Sequence, residues 1–446
     1  MKKSKFSKVG YVLAILGSAV GLGNIWKFPY ITGENGGGVF VLVFLLAVFT
    51  IGISIFVGEI ILGKLGKKDP VTTFEILSPN KSYKYIGFAF ITAILILSFY
   101  PIVIAWIFHY IFVSINSLPT SLQMSENAFI THIKDDIFLQ IFYYTLAFIW
   151  IAYTISKGVK DGIEKLNNFL MPTLFLLLLF MLFYSFTMDG FSKAFHFMFN
   201  LDFEKFNTNS ILIAVGHAFF CLSIGVTTIM AYSASISDKT NIAKAAFSVV
   251  ILDVLTAIIS GLIIFTIIFT AASEPNKGAG LVFITLPSIF YDMGTFGVVL
   301  SLVFFISLAF ASITSAVSML EPAVMYLIDR KGFTRLKATI TWSLIAYTLG
   351  IFVILSNTND YSTYLTFANK NLFDWLDFLT SAILMPLAGI VFSLYVGFVL
   401  NKDTSRNALV PYIGINLYNI WLFIVRYIAP ISVFILMLKE IGILKF

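Results

Sequence analysis

Apolar residues come in long blocks from one end of this chain to the other, and the charged residues fall mostly between the blocks. A helix crosses the hydrocarbon of a bilayer with about 20 predominantly apolar residues. Blocks of roughly that length lie at 10–32, 38–63, 85–115, 137–155, 168–187, 209–235, 245–272, 295–328, 338–356, 373–400 and 414–438. They predict an all-α integral membrane protein of about 11 transmembrane helices, with residues 1–446 as a single membrane domain. Hydrocarbon offers open backbone no hydrogen-bond partner, so non-helical peptide at that depth must line a cavity or be buried in protein.

Two blocks carry the signs of such a break. In the first, Gly17, Gly21 and Gly23 weaken the helix ahead of Pro29 and of the run Gly36, Gly37, Gly38. In the sixth, the stretch from Phe219 to Val226 holds Cys221, Ser223 and Gly225 and runs into Thr227 and Thr228. One patch of small residues is explained by close packing of helices. Two patches, separated by five helices, fit an inverted repeat in which residues 1–187 correspond to 209–400, with the eleventh span in 410–446. Unwinding frees carbonyls to coordinate a cation, while half-helix N-termini turn partial positive charge toward an anion such as a carboxylate.

Composition agrees with a membrane protein: 59% of residues are hydrophobic and 12% charged, against about 25% charged in soluble proteins. Most of the 48 Phe residues fit as lipid-facing filler. Sorting the 29 Lys and Arg residues by alternate loops puts 20 on the side of the N-terminus and 7 on the other, with Lys27 and Arg426 inside spans. Cytoplasmic loops retain positive charge, so the N-terminus is expected inside and the C-terminus outside a bacterial inner (plasma) membrane. The net charge of +6 is thus a signal of topology and lends nothing to nucleic-acid binding. The single cysteine, Cys221, excludes an intramolecular disulfide framework and a cysteine-rich metal site. A basic start followed by an apolar run resembles a signal peptide, but Asn24, Lys27 and Pro29 near the end of that run argue against cleavage.

Ionisable residues within spans are costly and are functional candidates by default. Glu59, Asp253, Glu321, Asp377 and Lys27 fall in this group, whereas His109 fits a packing role. Hydroxyls such as those of Thr314 and Ser315 ordinarily bond back to their own helix.

Residues 17–30, GSAVGLGNIWKFPY, followed by ENGGG at 34–38, resemble the signature of the neurotransmitter:sodium symporters. An ordered series follows: LSFYPIVIAW at 97–106, GHAFFCLSIGV at 216–226, FITLP at 283–287, ASITSAVSMLEP at 311–322 and LDFLTS at 376–381. The resemblance is to the bacterial amino-acid branch, and it implies a LeuT-like five-plus-five inverted repeat with broken helices 1 and 6, holding substrate and two sodium ions at mid-membrane. By motif, one sodium site would use Ala19, Asn24, Cys221, Asp253 and the substrate carboxylate. The other would use the carbonyls of Gly17, Val20 and Ala311 with the hydroxyls of Thr314 and Ser315. Oxygen donors suit a hard cation. The substrate pocket would comprise Ala19, Leu22, Gly23, Ile96, Tyr100, Phe220, Ser223, Val226, Ser315 and Met319, with Tyr100 bonded to the carboxylate and Phe220 as a lid. Lys27 and Asp377 would form the outer gate, and Lys2 or Lys5 would pair with Asp329 at the inner one.

Departures from the family pattern carry information of their own. Gly21 stands where amine transporters hold an Asp, which favours an amino acid over a monoamine. Cys221 replaces Ser or Thr and offers sodium a poor side-chain ligand; Lys27 replaces Arg and loses its bidentate fork. His217 stands where Gln is common, and Phe6 is a stand-in for a missing N-terminal Trp. Asp253 stands where many relatives have Asn, and a fixed carboxylate there supplies the negative charge that chloride brings elsewhere, so transport is expected to be independent of chloride. Asp253 and His217 are also candidates for proton uptake during return of the empty carrier. The function expected is sodium-coupled symport of a small, hydrophobic L-amino acid such as Leu, Tyr or Trp, with bilayer and substrate as partners and a homodimer left open. A twelfth span, present in many relatives, is not expected. The alternative is a membrane sensor that binds an amino acid without carrying it, which a long cytoplasmic signalling domain would favour. An enzyme would need paired acids or a metal cluster at helical spacing, and the sequence offers neither.

Overall fold

The computed structural model describes residues 5–204, 206–271 and 280–444, and all regular structure among them is helical. The first expected span is a pair of helices, α1 (Lys8–Ala19) and α2 (Gly23–Glu34), bent by 50° where they meet. Ser7 caps α1 by accepting from the Gly10 amide, and Val20 leaves the helix at ψ 112°. The four spans that follow are α3 (Gly38–Gly66), α4 (Lys81–Asn116), α5 (Ile137–Ser156) and α6 (Val159–Ser185). The sixth is again two pieces, α7 (Thr208–Cys221) and α8 (Thr228–Ser233). Between them Ser223, Gly225 and Thr227 take positive φ values of 51°, 86° and 62°. Then come α9 (Ile242–Thr270), α10 (Gly294–Lys331), α11 (Arg335–Ser356), α12 (Leu372–Val399) and α13 (Lys402–Glu440). Nine of these helices are individually long and apolar enough to cross a membrane, and the α1–α2 pair joins them if counted as one span.

Packing sorts the helices into two groups. The broken pieces α1, α7 and α8 pack with α3 and α9, while α4, α5, α10 and α11 pack with one another. α6 lies against α1, α9 and α10, and α1 and α8 also pack on α10, so these three join the two groups. Exchanging the first five spans for the next five preserves the main pairings: α3 packs on α8 as α9 packs on α1, and α4 packs on α11 as α10 packs on α5. Within its most apolar stretch α4 is 78% buried, whereas α5 is 33% buried and turns Phe138, Ile149 and Tyr153 outward. In water such a surface would drive association; for a chain of this hydropathy it faces lipid.

Two features lie outside the predicted spans. Residues 402–413, expected as a loop, are helical, and Gly414 at φ 75° and ψ 168° breaks this segment from the rest of α13. The Tyr418 hydroxyl, 2.8 Å from Ser405 Oγ, ties the two arms together. Short helices at Phe191–Phe199 and Leu281–Asp292 pack on α9 and α10 respectively.

Candidate functional site

The two breaks lie against each other in the middle of the bundle. Ser223, held in the left-handed region, donates from Oγ to the Ser18 carbonyl at 2.8 Å. Gly225 donates its amide to Glu59 Oε1 on α3 at 2.9 Å, so a buried acid from a neighbouring helix takes up a donor that unwinding exposes. A Cβ on Gly225 would stand 2.5 Å from the Met385 carbonyl, and the positive φ adds strain for any other residue.

Two clusters of oxygens flank this junction. In the first, Asn24 donates from Nδ2 to Asp253 Oδ1 at 2.9 Å and to its carbonyl at 3.1 Å, while Asn24 Oδ1 accepts from the Gly21 amide at 3.2 Å. Asp253 Oδ2 is buried with no hydrogen-bond partner among the described residues. The Cys221 thiol is 3.2 Å from His217 Nε2, one turn back on α7, and the imidazole sits against the rings of Phe28 and Phe44. In the second cluster Ser315 Oγ is 3.2 Å from the Gly17 carbonyl and 3.1 Å from that of Val20. Thr314 Oγ1 is 3.0 Å from the Ala311 carbonyl. Both hydroxyls are fully buried on α10 beside the end of α1.

Between the clusters lies a small cavity. Its wall contains all ten residues expected of the substrate pocket, Ala19, Leu22, Gly23, Ile96, Tyr100, Phe220, Ser223, Val226, Ser315 and Met319, joined by Ser18, Gly21 and Met385. The Tyr100 hydroxyl accepts weakly from the Leu22 amide at 3.4 Å. Gly21 leaves no room for a longer side chain, since a Cβ there would be 2.6 Å from Ser315 Oγ and 3.1 Å from Tyr100 Oη. Met385 left no mark in the sequence because only the tertiary fold brings α12 to the cavity.

The gates differ from expectation. Lys27 and Asp377 form no ion pair within 4.0 Å; Lys27 Nζ instead lies 4.5 Å from the centre of the Phe220 ring, an attraction of cation to π-face. A wider cleft above Phe220 is lined by Lys27, Glu34, His217 and Glu440. On the N-terminal side Lys5 is 3.7 Å from Asp238, which Lys67 also meets at 2.6 Å, so the expected Lys5–Asp329 pair is not made. Lys67 is the nearer competitor for this region's charges, and Asp329 accepts the amide of Asp69 at 3.0 Å. Lys2 lies outside the described residues. Hydrogen bonding from Lys67 holds the Asp238 carboxyl below its ordinary range, while burial pushes Asp69 up. Arg335 grips both oxygens of Glu321, and Phe6 donates its amide to Ser235 at 3.0 Å with its ring against Tyr11 and Tyr232. This face of the bundle is thereby sealed while the opposite cleft reaches down to Phe220.

The sequence model of the sodium:neurotransmitter symporter family matches residues 3–134 and 132–445. The chain belongs to that family. It is 32% identical to an uncharacterized sodium-dependent transporter of Bacillus subtilis, YhdH, over 99% of this chain and 98% of the relative. A second uncharacterized sodium-dependent transporter, from Haemophilus influenzae, is 29% identical over 98% of this chain and 97% of its own length. Among solved structures, MhsT in complex with L-phenylalanine superposes with a TM-score of 0.89 at 35% identity, covering 99% of this chain and 100% of MhsT. The all-helical LeuT-like fold is therefore shown, and the chain is a multi-pass, sodium-dependent membrane transporter and not an enzyme.

Proposed function

We propose that this transporter carries a small hydrophobic L-amino acid across the plasma membrane together with two sodium ions, without chloride. The observation that carries this reading is the meeting of both interrupted helices around one cavity whose flanks are oxygen clusters. Asn24, Asp253 and the Ala19 and Cys221 carbonyls would hold one ion beside the substrate carboxylate. The carbonyls of Gly17, Val20 and Ala311 with Thr314 and Ser315 would hold the other. These donors fit a hard cation, and the unpartnered Asp253 Oδ2 is an anionic donor still to be satisfied. The half-helix N-termini and the Tyr100 hydroxyl favour a carboxylate, and no acid stands at Gly21 to balance an amine.

Phe220 closes the cavity on the cleft side, and the contacts of Phe6, Asp238 and Glu321 close the other, so alternating access requires one seal to open as the other forms. Neutralisation of Asp253 by a bound cation, with the carboxylate as a further ligand, links filling of the site to closure. Each sodium moving down ~100 mV supplies ~2.3 kcal/mol. Two supply enough for a roughly thousandfold concentration of a neutral substrate at about 1.4 kcal/mol per decade. Opposite the apolar Val226 and Met319, side chains such as those of Leu, Tyr or Trp fit best. Excess Lys and Arg on the N-terminal side supports a cytoplasmic N-terminus. Uptake of radiolabelled leucine into proteoliposomes tests the whole: accumulation driven by an inward sodium gradient is expected, and saturable binding without accumulation would instead favour a sensor.

A further inference from the structure

Asn167 stands on α6 and is fully buried. Its Nδ2 donates to the Ile163 carbonyl, one turn back, at 2.8 Å. That bond sets the amide's orientation, because a flip would press Oδ1 against a carbonyl oxygen. Oδ1 consequently faces away from its own turn, and it has no hydrogen-bond partner among the described residues. What it faces is Gly17: a Cβ on that glycine would be 1.9 Å from Asn167 Oδ1 and 3.0 Å from Thr314 Cβ. Gly17 and Thr314 both belong to the second oxygen cluster.

A buried amide oxygen without a donor is unfavourable, and native proteins rarely leave one. The cluster cannot supply a proton. Ser315 Oγ is committed to the carbonyls of Gly17, Ser18 and Val20, and Thr314 Oγ1 to those of Phe310 and Ala311. A region crowded with acceptors and short of donors is satisfied by a cation.

We propose that Asn167 Oδ1 is a sixth oxygen ligand of the cation held by Gly17, Val20, Ala311, Thr314 and Ser315. This rests on the sodium reading given above. It makes α6 a third wall of the ion site beside α1 and α10, so movement of α6 and release of the ion are one event.

The test titrates sodium chloride against the melting temperature of the purified full-length chain, with choline chloride keeping ionic strength constant. Omitting amino acid leaves the first site without the carboxylate that completes it, so the response reports the second. Asn167→Leu keeps the branching at Cγ, with a larger volume, and removes the oxygen; Asn167→Asp keeps an oxygen. The proposal predicts that the leucine variant melts no lower than the parent in choline and needs at least tenfold more sodium for half its stabilisation, while the aspartate variant stays within threefold of the parent or responds at lower sodium. A leucine variant that titrates like the parent overturns it. Should that variant fail to fold, Asn167→Ser, whose hydroxyl is too short to reach Gly17, takes its place with the same two outcomes. A parent chain indifferent to sodium would refute the sodium reading itself, a result distinct from an unchanged variant.

Discussion

At position 221 sulfur stands where oxygen would serve a sodium ion better, and the thiol faces His217 at 3.2 Å. Cys221→Ser puts a harder donor at the same place, so half-saturating sodium for amino-acid binding is expected to fall several-fold; a rise would mean that the residue contributes only its carbonyl and its packing. Tyr100 offers a hydroxyl within the cavity. Hydrogen bonds to charged groups contribute about 1.5–3 kcal/mol, so Tyr100→Phe should weaken amino-acid binding at least tenfold, measured by equilibrium binding at saturating sodium. The residues that line the cavity came from the family resemblance, carried over motif by motif, and the fold brings those ten side by side. Asn167 was not legible, since nothing along α6 separates it from Asn168; only the approach of Gly17 does.

The breaks themselves decide the element scale. Gly225 is confined by its φ of 86°, by the Met385 carbonyl and by its bond to Glu59. Ala there is strained by roughly 1–3 kcal/mol before any clash is relieved, so Gly225→Ala is expected to lower the melting temperature and abolish amino-acid binding. Wild-type affinity in that variant would show that the segment between α7 and α8 need not take this shape. Clustered glycines announced the first break, and Gly225 among small and hydroxyl residues the second, because glycine is a poor helix former with no side chain to pack. The helix at 402–413 gave no such signal, since it falls between the apolar blocks 373–400 and 414–438, and the contact between Tyr418 and Ser405 holds it to the rest of α13.

Across the whole molecule, the seal on the N-terminal side combines two kinds of charge pair. Asp238 is exposed, and Lys67 depresses its carboxyl's proton affinity. Its stabilising effect is therefore present above the ordinary carboxylate pKa of about 4, fades as pH falls through the depressed folded value, and weakens in high salt. Glu321 is buried, and Arg335 is bound to both of its oxygens. Removing one member of a buried pair costs about 3–5 kcal/mol, and roughly the lower end applies with Arg335 partly exposed. Glu321→Gln should thus lower the melting temperature by several degrees, whereas Asp238→Asn should barely change it; equal effects would contradict this ranking of the pairs. The all-helical membrane architecture was readable from apolar blocks, because bilayer thickness sets span length. The pairings at the gates were not, because long side chains choose among several charges in three dimensions, as Lys5 does with Asp238.

The central claim is that two interrupted helices hold sodium beside an amino-acid carboxylate. Equilibrium binding of tritiated L-leucine to the purified chain, titrated with sodium, tests it most directly. The account predicts a sigmoidal rise with a Hill coefficient above 1, unchanged when gluconate replaces chloride. Binding of equal strength in potassium and in sodium would contradict it.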